Sequence, residues 1–308
     1  MLGLIGGTGL GEALFGEDFG KSPKEHQVGT PFGRASGPIR VVSWGVGDGR
    51  GVDVAILARH GDGHVLPPSM VPYRANVFAL KKLGVTHLLT SGAVGSLREE
   101  YRPRELVLVD QVIDKTYRRV PTFFDEGMAV HAEFAHPYCP TLRERLTAVA
   151  SASPTLKAAD VKVHEKGTYV CMEGPAFSTV AEANMHRQWG GDLIGMTAMP
   201  EGRLAREAEM CCALVAFPTD YDCWRPHAPG TSKQALLAEI IENVKAATAN
   251  AILLLRAAIE DFGKHPLGPC ACQSALELGI WTRRDRISKA AIEKYGPLVS
   301  KYLGETKP

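Results

Sequence analysis

The sequence has no excess of charge of either sign: 35 Lys and Arg residues are matched by 34 Asp and Glu residues, and the formal net charge is +1. It also has no run of basic residues. Binding to nucleic acid or to an anionic membrane relies on such a basic patch, so we expect neither as a partner. An anionic substrate must therefore be held by a few local groups.

Long apolar runs and a basic leader segment are also missing. Residues 1–10 are apolar but glycine-rich and uncharged, unlike a signal peptide. No apolar stretch reaches the roughly 20 residues of a membrane-spanning helix. The seven cysteines are odd in number, which is more typical of reduced thiols than of a disulfide framework. We therefore expect a cytoplasmic protein.

Two familiar cofactor motifs are incomplete. Residues 6–9, with the sequence GGTG, form neither a G-x-G-x-x-G fingerprint with its acidic partner nor a P-loop, which requires a Lys. Cys270 and Cys272 are separated by a single residue, and a zinc site would need two further ligands nearby. We expect no metal and no organic cofactor.

Strand-like and helix-like patterns alternate along most of the chain, which predicts an α/β domain with helices on both faces of a sheet. Residues 263–269 interrupt the pattern, and residues 287–302 have a helical pattern of their own. Roughly forty residues cannot bury a core alone. We therefore predict a main domain at residues 1–262 and a C-terminal helical extension at residues 263–308, packed on that domain or on a neighbouring subunit.

Four polar segments, three of them marked by glycine, each follow a predicted strand. Loops beyond the carboxyl ends of strands line the ligand crevice of open α/β sheets, and glycine turns present N–H groups to anions. Arg59 offers a planar fork for bidentate contact with phosphate. Taken singly, these are a tight turn or a surface ion-pairing residue, but together they favour a phosphate site. The segments are residues 6–9, 59–61, 91–96 and 196–197.

A pair of carboxylates, Asp220 and Asp222, lies in the segment TDYDCW at residues 219–224. In extended backbone, residues two apart point to the same side. Two close carboxylates raise one pKa, as burial also does, and a protonated Asp can donate to a ring nitrogen of a leaving base. The alternative is a loop whose carboxylates cap the next helix.

These segments, in this order and at this spacing, resemble the trimeric nucleoside phosphorylases, and within them the enzymes that act on 5′-methylthioadenosine. The resemblance extends from residue 1 to about residue 260. It rests on LIGGTG at residues 4–9, ARHG at 58–61, GAVGSLREE at 92–100, EGP at 173–175, MT at 196–197 with PE at 200–201, and TDYDCW at 219–224.

The resemblance implies a single-domain nucleoside phosphorylase fold, with a central mixed sheet flanked by helices, in a homotrimer. It implies a pentosyltransferase that converts 5′-methylthioadenosine and inorganic phosphate to adenine and 5-methylthioribose 1-phosphate, a step of purine and methionine salvage. Phosphate would be a co-substrate, and no cofactor would be needed.

The resemblance also implies roles for individual residues. Asp220 would protonate N7 of the leaving adenine, and Asp222 would accept a hydrogen bond from its N6 amino group. The phosphate ligands would be Thr8, Arg59, His60, the backbone around Ala93, and Thr197. The other nucleoside contacts would be Phe177 near the base, Ser178 beside adenine, Met196 against the ribose, and His131, which would reach the 5′-methylthio pocket of a neighbouring subunit. Outside such a site, Phe177 and Met196 would be ordinary core residues and His131 an exposed loop residue.

Three positions depart from the family pattern: Ala176 stands where Arg is frequent, Gly92 where Thr is common, and Gly202 where an apolar residue is usual. One alternative function is phosphorolysis of 6-oxopurine nucleosides or 5′-methylthioinosine, for which Asn is expected at the base contact instead of the carboxylate pair. A more distant alternative is a non-catalytic nucleoside-binding protein that keeps the pocket without turnover.

Overall fold

The computed structural model describes residues 1–7, 10–13, 21–46, 51–226, 230 and 232–304. Within these residues, eleven strands form one mixed sheet with helices on both faces, so the predicted fold class is confirmed. The strands are β1 (Leu2–Gly6), β2 (Lys21–His26), β3 (Ile39–Gly45), β4 (Gly51–Ala58), β5 (His87–Ser96), β6 (Leu106–Leu108), β7 (Gln111–Lys115), β8 (Val163–His164), β9 (Thr168–Met172), β10 (Leu193–Gly195) and β11 (Cys211–Tyr221).

The helices pack on the sheet because successive strand residues alternate between its two faces. Leu4 and Leu89 belong to one apolar cluster, together with residues of α3 and α7, whereas Ile5 and Leu88 belong to the other, with residues of α2 and α6. The helices are α1 (Leu10–Ala13), α2 (Tyr73–Lys82), α3 (Pro140–Ala152), α4 (Pro154–Ala158), α5 (Val180–Gln188), α6 (Glu201–Glu207), α7 (Lys233–Lys264), α8 (Lys289–Tyr295) and α9 (Ser300–Leu303). Among the described helices, none is both long and apolar enough to cross a membrane.

The middle of the sheet opens around β5. Its first residues pair in parallel with β1 on one side and β11 on the other. The register with β1 ends at Thr90, and β10 pairs with the far end of β5 at Gly95 and Ser96. Between these points β5 still pairs with β11 on one side, but on the other side it faces the segments that follow β1 and β4. Residues 91–96, predicted as a loop, continue the strand.

The C-terminal extension packs on the main domain of the same chain. Leu276, Tyr295 and Leu298 are buried in the apolar cluster that also contains α2 and α6. The Leu276 N–H donates to the Glu209 carboxylate over 3.0 Å, and the Tyr302 hydroxyl bonds to the same side chain. Helix α7 ends at Lys264, two residues beyond the boundary predicted from the sequence.

Candidate active site

A cavity of about 840 Å³ lies where the sheet opens around β5. It collects side chains from segments that are far apart in the sequence, as expected for the carboxyl ends of strands in an α/β sheet. Nine of the predicted site residues line it: Arg59, His60, Ala93, Phe177, Ser178, Met196, Thr197, Asp220 and Asp222. Of the other two predicted residues, Thr8 lies outside the described residues, and His131 is exposed and is not among the residues that line the cavity of its own chain.

Gly7, Arg59 and Ser91 meet at one end of this cavity. A Cβ atom at position 7 would lie 2.7 Å from Nη1 of Arg59 and 3.0 Å from the backbone oxygen of Ser91. Only glycine fits such a close approach. The guanidinium can therefore reach past the end of β1 into the cavity.

Arg59 forms a buried ion pair that the sequence analysis missed. Its Nε donates to Glu201 over 2.8 Å, its Nη2 to the same carboxylate over 2.6 Å, and its Nη1 to the Ser91 carbonyl over 2.8 Å. A guanidinium has five N–H groups, so two have no partner among the residues that the structure describes. The fork that we expected to hold phosphate is occupied by Glu201, which also balances the charge of Arg59.

His60, next in the chain, is held as a neutral ring. Its Nδ1 lies 2.7 Å from the Leu66 carbonyl oxygen, and because a carbonyl only accepts, Nδ1 carries the proton. The pKa of His60 is lowered to about 4, mainly by burial and also by the neighbouring Arg59 and His64, against the opposing effect of the Leu66 hydrogen bond. Nε2 is therefore an acceptor, suited to a substrate O–H group. The ring of His64 stacks on that of His60, with centroids 4.1 Å apart.

The predicted carboxylate pair lies elsewhere on the cavity wall, at the end of β11. A register shift between Pro218 and Asp220 interrupts the pairing with β5, and both Asp220 and Asp222 line the cavity. Thr219 donates its hydroxyl to Oδ1 of Asp220 over 2.7 Å. The structure thus supports the prediction that the two carboxylates share a face, rather than capping a helix.

Asp222 is the more buried of the two carboxylates. Burial raises its pKa, opposed by the backbone N–H of Cys223 and the side chain of Ser178. Among the described residues, its Oδ2 has no hydrogen-bond partner. A buried oxygen of this kind is costly unless a ligand donates to it, and a substrate amino group would do so.

Met196 and Thr197 form the wall next to β10. A Cβ at Gly174, whose φ is 71°, would lie 2.5 Å from Sδ of Met196, so glycine at 174 allows the Met196 side chain to pack there. A Cβ at Gly92 would lie 3.5 Å from Oγ1 of Thr197. A residue with a Cβ atom at position 92 would therefore be in ordinary van der Waals contact with the Thr197 hydroxyl.

A second buried ion pair, between Arg119 and Glu173, holds the Met196 backbone in place, and the sequence did not predict this pair. Arg119 donates from Nε to Glu173 over 3.0 Å and from Nη1 to the carbonyl oxygens of Met196 and Met199, each over 2.6 Å. Glu173 also accepts from Ser69. Glu173 belongs to the EGP segment, but nothing in the sequence marks Arg119 as its partner.

The remaining predicted contacts lie at the mouth of the cavity. Phe177 is 85% exposed, so it is not a core residue, and a bound base could cover it. Ser178 is partly buried and lies beside Asp222. Further along, Leu236 and Ile240 of α7 contribute apolar side chains to the wall.

The chain is similar to proteins of a known family over most of its length. The model of the phosphorylase superfamily matches residues 2–260. An S-methyl-5′-thioadenosine phosphorylase of Synechocystis sp. is 43% identical over 304 residues, which cover 98% of this chain and 87% of the relative. A relative of the same name from Thermofilum pendens is 45% identical and covers 82% of this chain and 90% of its own length.

Solved structures of proteins with similar names superpose on this chain. A methylthioadenosine phosphorylase from an antarctic soil metagenomic library superposes with a TM-score of 0.84 at 37% identity, covering 96% of this chain and 98% of its own. A mutant adenosine/methylthioadenosine phosphorylase of Schistosoma mansoni, in complex with methylthioadenosine, superposes with a TM-score of 0.77 at 32% identity, covering 92% and 99%. The chain belongs to the phosphorylase superfamily, among relatives named S-methyl-5′-thioadenosine phosphorylase.

Proposed function

We propose that this protein catalyses the phosphorolysis of 5′-methylthioadenosine to adenine and 5-methylthioribose 1-phosphate. The observation that carries the proposal is a single cavity in which Arg59, His60 and Thr197 form a polar cluster and Asp220 and Asp222 form a carboxylate pair. A nucleoside bound between these two groups would present its ribose to phosphate and its base to the carboxylates.

Phosphate binds beside Gly7, held by the two remaining N–H groups of Arg59, the Thr197 hydroxyl, backbone N–H groups around Ala93, and Thr8. His60 accepts the O–H of the phosphate monoanion or dianion through Nε2. Because Glu201 balances the charge of Arg59, the negative charge of phosphate stays available to the reaction. It stabilises positive charge that develops on the ribose, which is electrostatic catalysis by a bound substrate.

In the reaction, a phosphate oxygen forms a bond to C1′ while the bond from C1′ to N9 breaks. The electron pair of that bond passes to the adenine ring, and Asp220 donates a proton to N7, so that neutral adenine leaves. Asp222 accepts from the N6 amino group through its buried oxygen. Met196 lies against the ribose, with Phe177 and Ser178 beside the base. No redox or metal step is required by this balance.

The proposal includes a homotrimer, in which His131 reaches the 5′ pocket of a neighbouring subunit, and roles in purine and methionine salvage. Seven free thiols fit a reducing compartment, which supports a cytoplasmic location. His131 packs against Trp281 of the extension at 4.8 Å between ring centroids. Trp281 and Leu278 are exposed apolar side chains that a neighbouring subunit would cover.

The test measures adenine release from 5′-methylthioadenosine with and without inorganic phosphate, with detection of 5-methylthioribose 1-phosphate. We expect strict dependence on phosphate. Equal release in phosphate-free buffer would make the protein a hydrolase, and no release in either buffer would make it a binding protein. The same assay with 5′-methylthioinosine tests the 6-oxopurine alternative. Efficient release of its base would favour that alternative, and no release would exclude it.

A further inference from the structure

Four of the seven cysteines come together in a cluster outside the active-site cavity. The sulfur atoms of Cys139, Cys211, Cys270 and Cys272 all lie within 4.8 Å of one another, and those of Cys139 and Cys270 are 3.5 Å apart. All four side chains are free thiols, and none of them lines the cavity. Such a group needs an explanation that catalysis does not supply.

The four ligand positions come from three different elements. Cys139 is the N-cap of α3, Cys211 is the first residue of β11, and Cys270 and Cys272 lie in the turn and short 3₁₀-helix (Ala271–Ser274) that open the C-terminal extension. Backbone hydrogen bonds hold the positions: the Cys139 N–H donates to the Cys212 carbonyl over 2.8 Å, and the Gln273 N–H donates to the Cys270 carbonyl over 2.9 Å.

The spacing of the sulfurs fits one tetrahedral metal ion. A zinc–sulfur bond is about 2.3 Å long, so four thiolates around one zinc ion have sulfur–sulfur distances of about 3.8 Å. The sulfur–sulfur distances in the cluster, at most 4.8 Å, exceed that value by no more than about 1 Å. Four thiolates in a tetrahedron select zinc or iron among the common metals.

Burial and local polarity also suit a metal ion. Cys139, Cys211 and Cys272 are buried, while Cys270 is half-buried, which gives an ion a path of entry. The Cys139 sulfur accepts from the Leu142 N–H over 3.4 Å at the start of α3.

We propose that Cys139, Cys211, Cys270 and Cys272 bind a structural zinc ion. Our expectation of no metal rested on the absence of two further ligands near Cys270 and Cys272, and the fold supplies both from distant parts of the chain. With four protein ligands the site is closed to substrate, which is typical of structural zinc. The ion would fasten the beginning of the C-terminal extension to α3 and β11.

The first experiment uses the unmodified protein, purified under reducing conditions in the presence of zinc and then desalted. Elemental analysis should find about one zinc per chain, and titration of the apoprotein with cobalt(II) should give the absorption bands of a tetrahedral thiolate complex. Reduced protein that takes up neither metal would overturn the proposal, as would iron in place of zinc. Intact-mass and thiol analysis showing two disulfides in this protein would also overturn it.

Matched variants locate the site. Cys270→Ser and Cys272→Ser should lower the bound zinc by roughly tenfold or more, whereas Cys212→Ala, which removes a buried thiol next to Cys211 but outside the cluster, should keep it. Removing zinc with a chelator should lower the Tm of the wild type and of Cys212→Ala, and leave the Tm of the serine variants unchanged. Equal zinc content in all four proteins would contradict the assignment. Phosphorolysis assayed alongside reports on the active site independently of this outcome.

Discussion

Arg59 is the clearest case in which a single residue sets the charge balance of the cavity. The fork expected to hold phosphate holds Glu201 instead, and the pair is almost completely buried, with 1% and 2% of the two side chains exposed. Removing one member of a buried pair leaves the other charge unpaired, which costs about 3–5 kcal/mol. An Arg59→Ala variant alone therefore cannot distinguish a loss of phosphate affinity from a loss of stability.

A double variant separates the two effects. Arg59→Ala should raise the KM for phosphate strongly, leave nucleoside binding largely intact, and lower the Tm. Arg59→Ala combined with Glu201→Gln should recover much of the Tm, because no buried charge is left unpaired, but should keep the high phosphate KM. Phosphate saturation kinetics and thermal melts of both proteins check this. Recovery of the phosphate KM in the double variant would mean that Arg59 acts only through folding.

We expect the carboxylate pair, Asp220 and Asp222, to govern the choice of base. Asp220→Asn keeps the shape of the side chain but removes its proton, so activity on 5′-methylthioadenosine should fall by roughly 10²- to 10⁴-fold. The amide also offers a donor to a 6-oxo group, so the preference over 5′-methylthioinosine should narrow or reverse. Values of kcat/KM for both substrates measure this, with Asp53→Asn, an exposed aspartate of β4, as control. An unchanged preference in the Asp220 variant would show that its assigned role is wrong.

At the scale of elements, the Glu173 and Arg119 pair ties the end of β9 to the turn after β10. The Ser69 hydroxyl and the backbone N–H groups of Tyr117 and Arg118 also donate to Glu173. Despite the opposing effect of burial, these contacts lower the pKa of Glu173 to about 2. A carboxyl group whose pKa is lowered in the folded state stabilises the fold above its unfolded pKa. That contribution is lost as the pH falls through the folded pKa.

Glu173→Gln should therefore lower the Tm most at neutral pH, where Arg119 loses a charged partner; breaking a buried pair costs about 3–5 kcal/mol. The gap in Tm between variant and wild type should narrow as the pH falls from about 4.5 toward 2, because the wild-type carboxylate becomes protonated as well. Thermal melts across this range, with the exposed Glu100→Gln as control, measure it. A constant gap would mean that the charge of Glu173 contributes nothing.

Sequence patterns located most elements but not their ends. Residues 86–90, with the sequence THLLT, predict a buried strand, yet β5 continues to Ser96 because β10 and β11 provide hydrogen-bond partners that no local pattern reveals. Ser178 is of a residue type that caps helices, but Thr179 caps α5 and forms a capping box with Glu182, which leaves Ser178 beside Asp222. Thr231 and Gln234 have the sequence pattern of a capping box, but Thr231 lies outside the described residues, and Ser232 caps α7.

The site residues divide in the same way. Asp220, Asp222, Arg59 and Thr197 could be predicted because each sits in a polar segment at the end of a strand. Glu201 could not be assigned as the partner of Arg59, because the two residues are 142 positions apart in the sequence. Arg119 could not be assigned as the partner of Glu173, because these two are 54 positions apart. The four cysteines illustrate the same limit: their spacing along the chain gives no indication that the fold brings them together.

At the scale of the whole molecule, the C-terminal extension has two faces. One contributes Tyr295 and Leu298 to the core of the main domain, so deleting residues 263–308 would expose that core, and a deletion cannot test the role of the extension in binding. The other face carries Trp281 beside His131 at the surface. A test of whether neighbouring subunits share an active site must therefore leave the extension intact.

Mixing two impaired variants provides that test. His131→Ala should raise the KM for 5′-methylthioadenosine by removing the contact from a neighbouring subunit, and Asp220→Asn should lower the rate within its own subunit. When the two proteins are unfolded, mixed and refolded, some cavities in a trimer combine a native Asp220 from one chain with a native His131 from the next. We therefore expect the mixture, assayed at low substrate concentration, to exceed the mean activity of the separately refolded variants. Analytical ultracentrifugation of the wild type should show a trimer. A fully active monomer, or a mixture with only the mean activity, would place His131 outside the active site of its neighbour.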